Sequence, residues 1–526
     1  MSVLPELADH HVTSSYADID GTWDYILIGG GGTAAAFIDT LLERRSEARV
    51  LVLEQGRFLL PSHAQNLGLA YQPLMASAAA SPWSSDGELE IVAQVPYLGG
   101  RTLMWSGSCP QPTGGQLRRW PSQVVDGLDA HWDAARRWVG VRPAVELGPE
   151  FATLHRALRR ASAEAAAVVP SLITPAADVD LDAPLAYTEH VDGSRQKFAA
   201  IVPLLRAAAH QDSLRVVTDI HVQSLAVTDG VVTAVRTAKG DIEVHDAEVV
   251  LTSGSTEATA IVLRSTGLES EHAGANLAAN AASFFTCRIP RASFAGLAED
   301  GPELAALYIE GETETREFHL HVSAVATTDA RRDMDRIYHL MPDMFGDGTP
   351  QRVCDPNHVV LVIHGLAEIA GGGTDRSAST LRIEADADAA LVGTFRLDDD
   401  DRSAWDAMDA AVDEVLAQIA GDAAVEYWNP EIAQWQTTPP SRRMPFAFHE
   451  TGTLWMGSNA NDSASDLWGK VHGTDNLFVL GGATFPTRGS WNPFLTMVAL
   501  TRRLVHALED GTVGRRRLAA TVRPQS

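Results

Sequence analysis

Between Asp24 and Gly56 the chain reads DYILIGGGGTAAAFIDTLLERRSEARVLVLEQG, the pattern of strand, glycine turn, helix and strand. Tyr25 to Ile28 is a short apolar run, the length of a strand buried in a parallel sheet. Gly29, Gly31 and Ala34 fill the G-x-G-x-x-G/A spacing that opens a helix in dinucleotide-binding folds. The first glycine permits the tight turn. The second removes a side chain so that backbone can approach a pyrophosphate. The third position needs a small residue for close helix–strand packing, and alanine is small enough. The helix N-terminus offers free N–H groups and partial positive charge, which suits phosphate. A second apolar run, Val50 to Leu53, ends at Glu54, which follows the first glycine by 25 residues (54 − 29), close to the spacing of an acid that grips a ribose diol. The four consecutive glycines 29–32 leave the register open by one residue; the Gly29/Gly31/Ala34 frame ends the strand before the turn. A glycine triplet alone is a weak sign, and the bland alternative is a generic βαβ unit with a flexible turn. Two strands, a helix and an acid together predict dinucleotide binding.

A chain of 526 residues has room for two or three domains with sizeable cores. Its net charge of −27 argues against nucleic acid or an anionic membrane surface as partner. Three widely spaced cysteines, Cys109, Cys287 and Cys354, suggest neither a disulfide framework nor a metal site, and no histidine or acid cluster has metal-ligand spacing. His10-His11 reads as a solvated pair. The first residues lack the charged-then-apolar pattern of a signal peptide, and no apolar run is long enough to span a membrane. The expected location is cytoplasmic.

Further along, Val95 to Ser108 sets Gly99, Gly100 and Gly107 among Leu98, Leu103, Met104 and Trp105. Those apolar residues favour a buried loop against a flat ligand over a surface loop. Residues 120–165 have helical spacing and predict two helices broken near Pro143. Short alternating runs between 215 and 244, with a turn at Asp229-Gly230, predict a hairpin-rich segment. Glu248 to Leu251 followed by TSGS is a second junction of strand, small-residue turn and helix. The block 285–445 mixes strand-like runs (359–363, 381–383, 394–397) with a helix near 404–419 and predicts a mixed sheet-plus-helix domain. From His449 the chain carries HETGTLWMG, a strand ending in Gly481-Gly482-Ala483, and GSWNPFLT leading into a helix to about Leu508. Pro493 suits a first helical turn, which makes this a second anion-friendly helix start. Alone, His449 reads as a structural histidine and Asn492 as a helix cap. With ligand patterns in three distant segments (29–54, 98–108, 449–496), one shared cofactor site is the economical reading.

These motifs together resemble the glucose–methanol–choline (GMC) family of flavin oxidoreductases. The likeness is carried by DYILIGGGGTAAAF with VLVLEQG, the LGGRT loop, VVLTSGSTEATAIVLRSTG, and HETGTLWMG with VHGTDNLFVLGGATFPTRGSWNPFLTMVAL, in the family's order. Within it the chain is most similar to pyranose oxidases and bacterial C-glycoside 3-oxidases. The resemblance implies an α/β (α+β overall) architecture: a Rossmann-like FAD-binding domain from 20–125, 195–284 and 445–526, and a mixed-sheet substrate-binding domain from 126–194 and 285–444. It implies oxidation of a secondary alcohol of a sugar or glycoside, at C2 or C3, by hydride transfer to flavin N5, with O2 or another acceptor reoxidising the flavin. His449 falls on the family's base and Asn492 on its partner for the same hydroxyl. Met104 replaces the histidine that bonds covalently to flavin in pyranose oxidases, which implies non-covalent FAD. Ser106 falls where a hydroxyl stands near N5. Gly100, Thr102 and Trp105, then Gly482, Pro493 and Phe494, fall on flavin-contacting stretches, and Val222 on an adenine-contacting position. The alternatives are a dehydrogenase of a non-sugar alcohol or secondary metabolite, and a lyase that keeps FAD as a structural element.

Overall fold

The structure is a computed structural model describing residues 12–513, apart from 14, 20, 190–192, 211–212, 269, 343–352 and 385–389; His10 and His11 lie outside the described residues. In chain order, β1 (Tyr25–Ile28), α1 (Gly32–Arg44) and β2 (Val50–Leu53) form the opening unit. α2 (Trp132–Val139) and α3 (Thr153–Val168) follow, then β3 (Leu214–Val217), β4 (Glu248–Leu251) and α4 (Ser255–Arg264). The long strands β5 (Ala278–Pro290), β6 (Glu303–Glu312), β7 (Glu317–Ala326) and β8 (His358–Ile369) precede α5 (Asp399–Ala420). β9 (Arg443–Thr451), β10 (Leu477–Val479) and α6 (Phe494–Glu509) come last.

The first layer is a six-stranded parallel sheet in the order Val12–Thr13, β3, β2, β1, β4, β10. β1 and β2 are buried along their whole length, as apolar runs without alternation require of strands covered on both faces. α1 lays Ala34, Phe37, Ile38 and Leu41 into one core with Leu495, Val498 and Leu504 of α6. Trp132, Ala135 and Val139 of α2 join this core, although they belong to the 126–194 segment assigned above to substrate binding.

The second layer is an eight-stranded mixed sheet with β6, β7, β8 and β5 side by side and antiparallel. β9 pairs with β5 antiparallel and with Glu90–Ile91 in parallel. β7 alternates polar and apolar residues from Glu317 to Ala324. Phe318, Leu320, Val322 and Ala324 pack with Leu154 and Leu158 of α3 and Met408 and Val415 of α5. Glu317, His319, His321 and Ser323 point to the opposite face, as the two-residue period of a strand demands, and they too are buried. That polar face looks toward the parallel-sheet domain.

Two expectations change in detail. The 120–165 region makes three helices, Ser122–Leu128, α2 and α3, because the chain turns again at His131, whose N–H bonds Leu128 O. The strand expected at 394–397 runs from Leu391 to Thr394 instead; Phe395 O bonds the Glu88 N–H, and Arg396 N–H bonds Ser379 Oγ, so these residues leave the ladder.

Candidate active site

Between the two sheets lies a cavity of about 520 Å³, within the size range of small-molecule sites. His449, Asn492, Gly29, Gly31, Glu54, Gly100, Thr102, Met104, Trp105, Ser106, Val222, Gly482, Pro493 and Phe494 all line it. Ala34 does not; it is fully buried in α1, where a small residue lets helix and sheet close together.

The glycine turn divides its work as the spacing predicts. Gly29 has φ +107°, and a Cβ there would lie 2.6 Å from Ser253 Cα, so only glycine fits. A Cβ on Gly31 would meet nothing within 4 Å; it would project into the cavity. Glu54 accepts the Gly30 and Gly56 amides, each at 2.8 Å, one on each carboxylate oxygen. Burial raises its pKa against the pull of those amides. Three helices begin on the cavity wall, α1 at Gly31, α4 at Gly254 and α6 at Pro493, and none has a side-chain cap. Their free N–H groups and positive dipole ends converge on one space.

Leu98 and Leu103 are fully enclosed, while Met104 and Trp105 are half-buried where the loop at 99–106 lines the cavity. Gly99 N–H bonds Gly30 O at 2.9 Å, which ties this loop to the glycine turn. Thr102 Oγ1 donates to Gly99 O at 2.6 Å and accepts the Ala200 amide at 3.0 Å. Trp105 Nε1 donates to Phe198 O at 2.8 Å, and its ring stands edge-on to Phe494, 4.9 Å between centroids. Ser106 Oγ accepts the Ser108 amide at 3.2 Å.

His449 sits at a register shift between β5 and β9, where Ala278 pairs with Thr451 but Asn280 with Phe448. The bulged chain holds His449 at φ +57°, a left-handed conformation that non-glycine residues avoid and that re-aims a side chain at some cost in strain. Its Nδ1 lies 3.0 Å from Asn280 Oδ1. That oxygen also accepts from Arg488 Nη2 at 2.8 Å, while Asn280 Nδ2 donates to Gly489 O at 3.2 Å. The amide is therefore fixed with its oxygen toward His449, Nδ1 must donate, and Nε2 is left as the basic nitrogen. Burial, then the Arg488 and Arg101 charges, hold the imidazole well below its ordinary pKa of 6.5, so it is neutral at physiological pH. Asn492 Oδ1 lies 3.2 Å from His321 Nε2, which in turn lies 3.1 Å from His319 Nε2.

Sequence reasoning missed Asn280, His321, His364 and Arg488. His321 and His364 line the cavity beside Phe448. The E-x-H-x-H-x-S alternation of residues 317–323 was the available signal for His321. Among the described residues, no group of three or more His, Cys, Asp or Glu side chains is placed to hold a metal ion, and no helix is long and apolar enough to cross a membrane.

Two family models, both described as GMC oxidoreductase, match residues 23–282 and 375–501. Paromamine 6'-oxidase from Streptomyces fradiae is 24% identical over 546 residues, covering 95% of this chain and 93% of the relative. The fructose dehydrogenase large subunit of Gluconobacter japonicus is 42% identical over 60 residues, only 11% of either chain. Among solved structures, pyridoxine 4-oxidase from Mesorbium loti superposes with a TM-score of 0.57 at 16% identity, over 93% of this chain and 99% of the other, a likeness of fold.

Proposed function

This chain belongs to the GMC oxidoreductase family, whose members here are oxidases and dehydrogenases acting on CH–OH groups, and we propose that it oxidises a secondary alcohol of a sugar or glycoside, at C2 or C3, to the ketone. The observation that carries the proposal is that a neutral histidine with Nε2 as its basic nitrogen shares one cavity with three uncapped helix starts and an amide side chain.

The cavity residues fit FAD. The open side of Gly31, the exposed first-turn amides of α1 and the Glu54 carboxylate suit the pyrophosphate and ribose of the ADP half, with Val222 beside the adenine. Gly100, Thr102, Trp105, Ser106, Gly482 and Phe494 would enclose the ring system, and the start of α6 behind Pro493 would face it with free N–H groups. Met104 carries a thioether unsuited to a flavin link, so the cofactor is held without a covalent bond. When bound, FAD supplies the hydride acceptor. His449 Nε2 takes the hydroxyl proton, a role worth roughly 10²–10⁴-fold in rate. Asn492 hydrogen-bonds the same hydroxyl and orients the carbinol hydrogen. O2 or another acceptor completes the cycle. Segments 20–125, 195–284 and 445–526 hold the cofactor, and the block 285–444 supplies His321 and His364 to the substrate end.

The test is anaerobic mixing of the yellow protein with free sugars and glycosides while following flavin absorbance near about 450 nm. Bleaching by one sugar class is the expected result. Bleaching by a non-sugar alcohol and by no sugar would overturn the substrate assignment.

A further inference from the structure

Behind the substrate end of the cavity lies a buried cation, Arg488, with which no carboxylate among the described residues forms an ion pair. From it we propose that the sugar oxidised here is uncharged or anionic and bears no ammonium group, an inference that rests on the sugar-oxidising reading above and narrows it.

Arg101 lines the cavity, and three more arginines lie in ion pairs or hydrogen bonds near it. Arg101 pairs with Glu450 at 2.8 Å, Arg119 with Glu368 at 2.6 Å, and Arg118 with Glu317 at 3.5 Å. The fourth, Arg488, is fully buried, and among the described residues no carboxylate forms an ion pair with it. It reaches Asn280 through Nη2 and lies 5.9 Å from the centre of the Trp491 ring, while its Nε and Nη1 find no hydrogen-bond partner. Burial pulls its pKa down to about 10, which still leaves it charged at neutral pH.

The nearby acids make their contacts with other groups and act on Arg488 only at longer range. Glu368 accepts from Arg119 and from the Gly489 amide. Glu317, raised to about 7 by burial and by Glu368, is partly protonated at neutral pH and offsets even less. Of the three carboxylates that line the cavity, Glu450 is paired with Arg101, and Glu54 and Glu257 belong to the glycine turn and to the first turn of α4. The side chains that face a substrate, His321, His364, Phe448, His449 and Asn492, include no anion. The consequence is read at His449, whose pKa is lowered first by burial and next by Arg488 and Arg101.

A cation buried two hydrogen bonds behind the base, through Asn280, repels a second cation through a low-dielectric interior. Neutral hydroxyls do not feel that repulsion, and a carboxylate is attracted. A relative named for paromamine makes an amine-bearing sugar the natural competitor.

The experiment uses the holoenzyme and the best sugar of the panel above, with its 6-amino-6-deoxy analogue, the N-acetyl form of that analogue, and the matching uronic acid. The second-order rate constant of flavin reduction and the equilibrium dissociation constant are both measured at neutral pH. The ammonium form is expected to be poorer than the parent by on the order of tenfold or more. N-acetylation restores reactivity, and the uronic acid binds at least as well as the parent. Arg488→Gln narrows the gap and Arg488→Lys preserves it. An ammonium sugar that binds and reacts as well as its N-acetyl form in the native enzyme overturns the proposal alone. No reduction by any of the four, with reduction by a non-sugar alcohol, overturns the sugar reading and this proposal with it.

Discussion

His449 Nδ1 lies 3.0 Å from Asn280 Oδ1, across the pairing of β9 with β5. The tautomer of this histidine is thus set by a strand of the antiparallel sheet, and the amide that sets it is itself locked by Arg488.

Removing the base should leave the cofactor in place. His449→Ala is expected to bind FAD at the native stoichiometry and to lose roughly 10²–10⁴-fold in the rate of flavin reduction. Stopped-flow reduction under anaerobic conditions measures this; an unchanged rate with a good sugar would remove His449 from the chemistry.

The pH dependence follows from the sign of the histidine shift. A base whose pKa lies well below 6.5 stays unprotonated as pH falls through 6.5, so the reduction rate should be flat there and drop only at distinctly more acid pH. Asn280→Asp places a carboxylate on Nδ1, favours the imidazolium and should move that drop to higher pH. A pH profile of the reductive step for both proteins decides it.

The two glycines of the first turn should fail differently. Gly29→Ala forces a Cβ to 2.6 Å from Ser253 Cα at φ +107°, and is expected to lower the melting temperature of the protein with and without cofactor. Gly31→Ala projects a methyl into open space, so it should fold normally and lose FAD affinity. Calorimetry and flavin titration on the two apoproteins separate the cases.

Acid precipitation should release all flavin to the supernatant, since Met104 offers no covalent anchor. Re-adding FAD at about 100 times its dissociation constant should stabilise the apoprotein by about 2.7 kcal/mol, read as a rise in melting temperature. Flavin retained in the pellet would contradict non-covalent binding.

The glycine turn and its carboxylate were legible because the pattern is local. Gly29, Gly31, Ala34 and Glu54 sit in one contiguous βαβ unit whose spacing is fixed by the turn. The loop at 99–106 was legible because Leu98, Leu103 and Trp105 would be costly to expose. The opposite end of the cavity was not legible. Asn280, His364 and Arg488 lie on separate segments and meet only through strand pairing and the 488–492 turn. The charged alternation on β7 looks like a solvated strand face, because nothing local says that a second domain covers it. The strand end at Thr394 was misread for a related reason: Phe395 is apolar enough to extend the strand, but its carbonyl bonds Glu88 instead.

The two-residue period of β7 has an evolutionary consequence. Its histidine row and its leucine row occupy opposite faces of one strand, so deleting or inserting a single residue would turn His319 and His321 into the helix-packed core and Leu320 and Val322 toward the cavity. Substrate preference in such a scaffold can drift by exchanging side chains in place, or by lengthening the connections between strands, but the strands themselves are closed to changes of length.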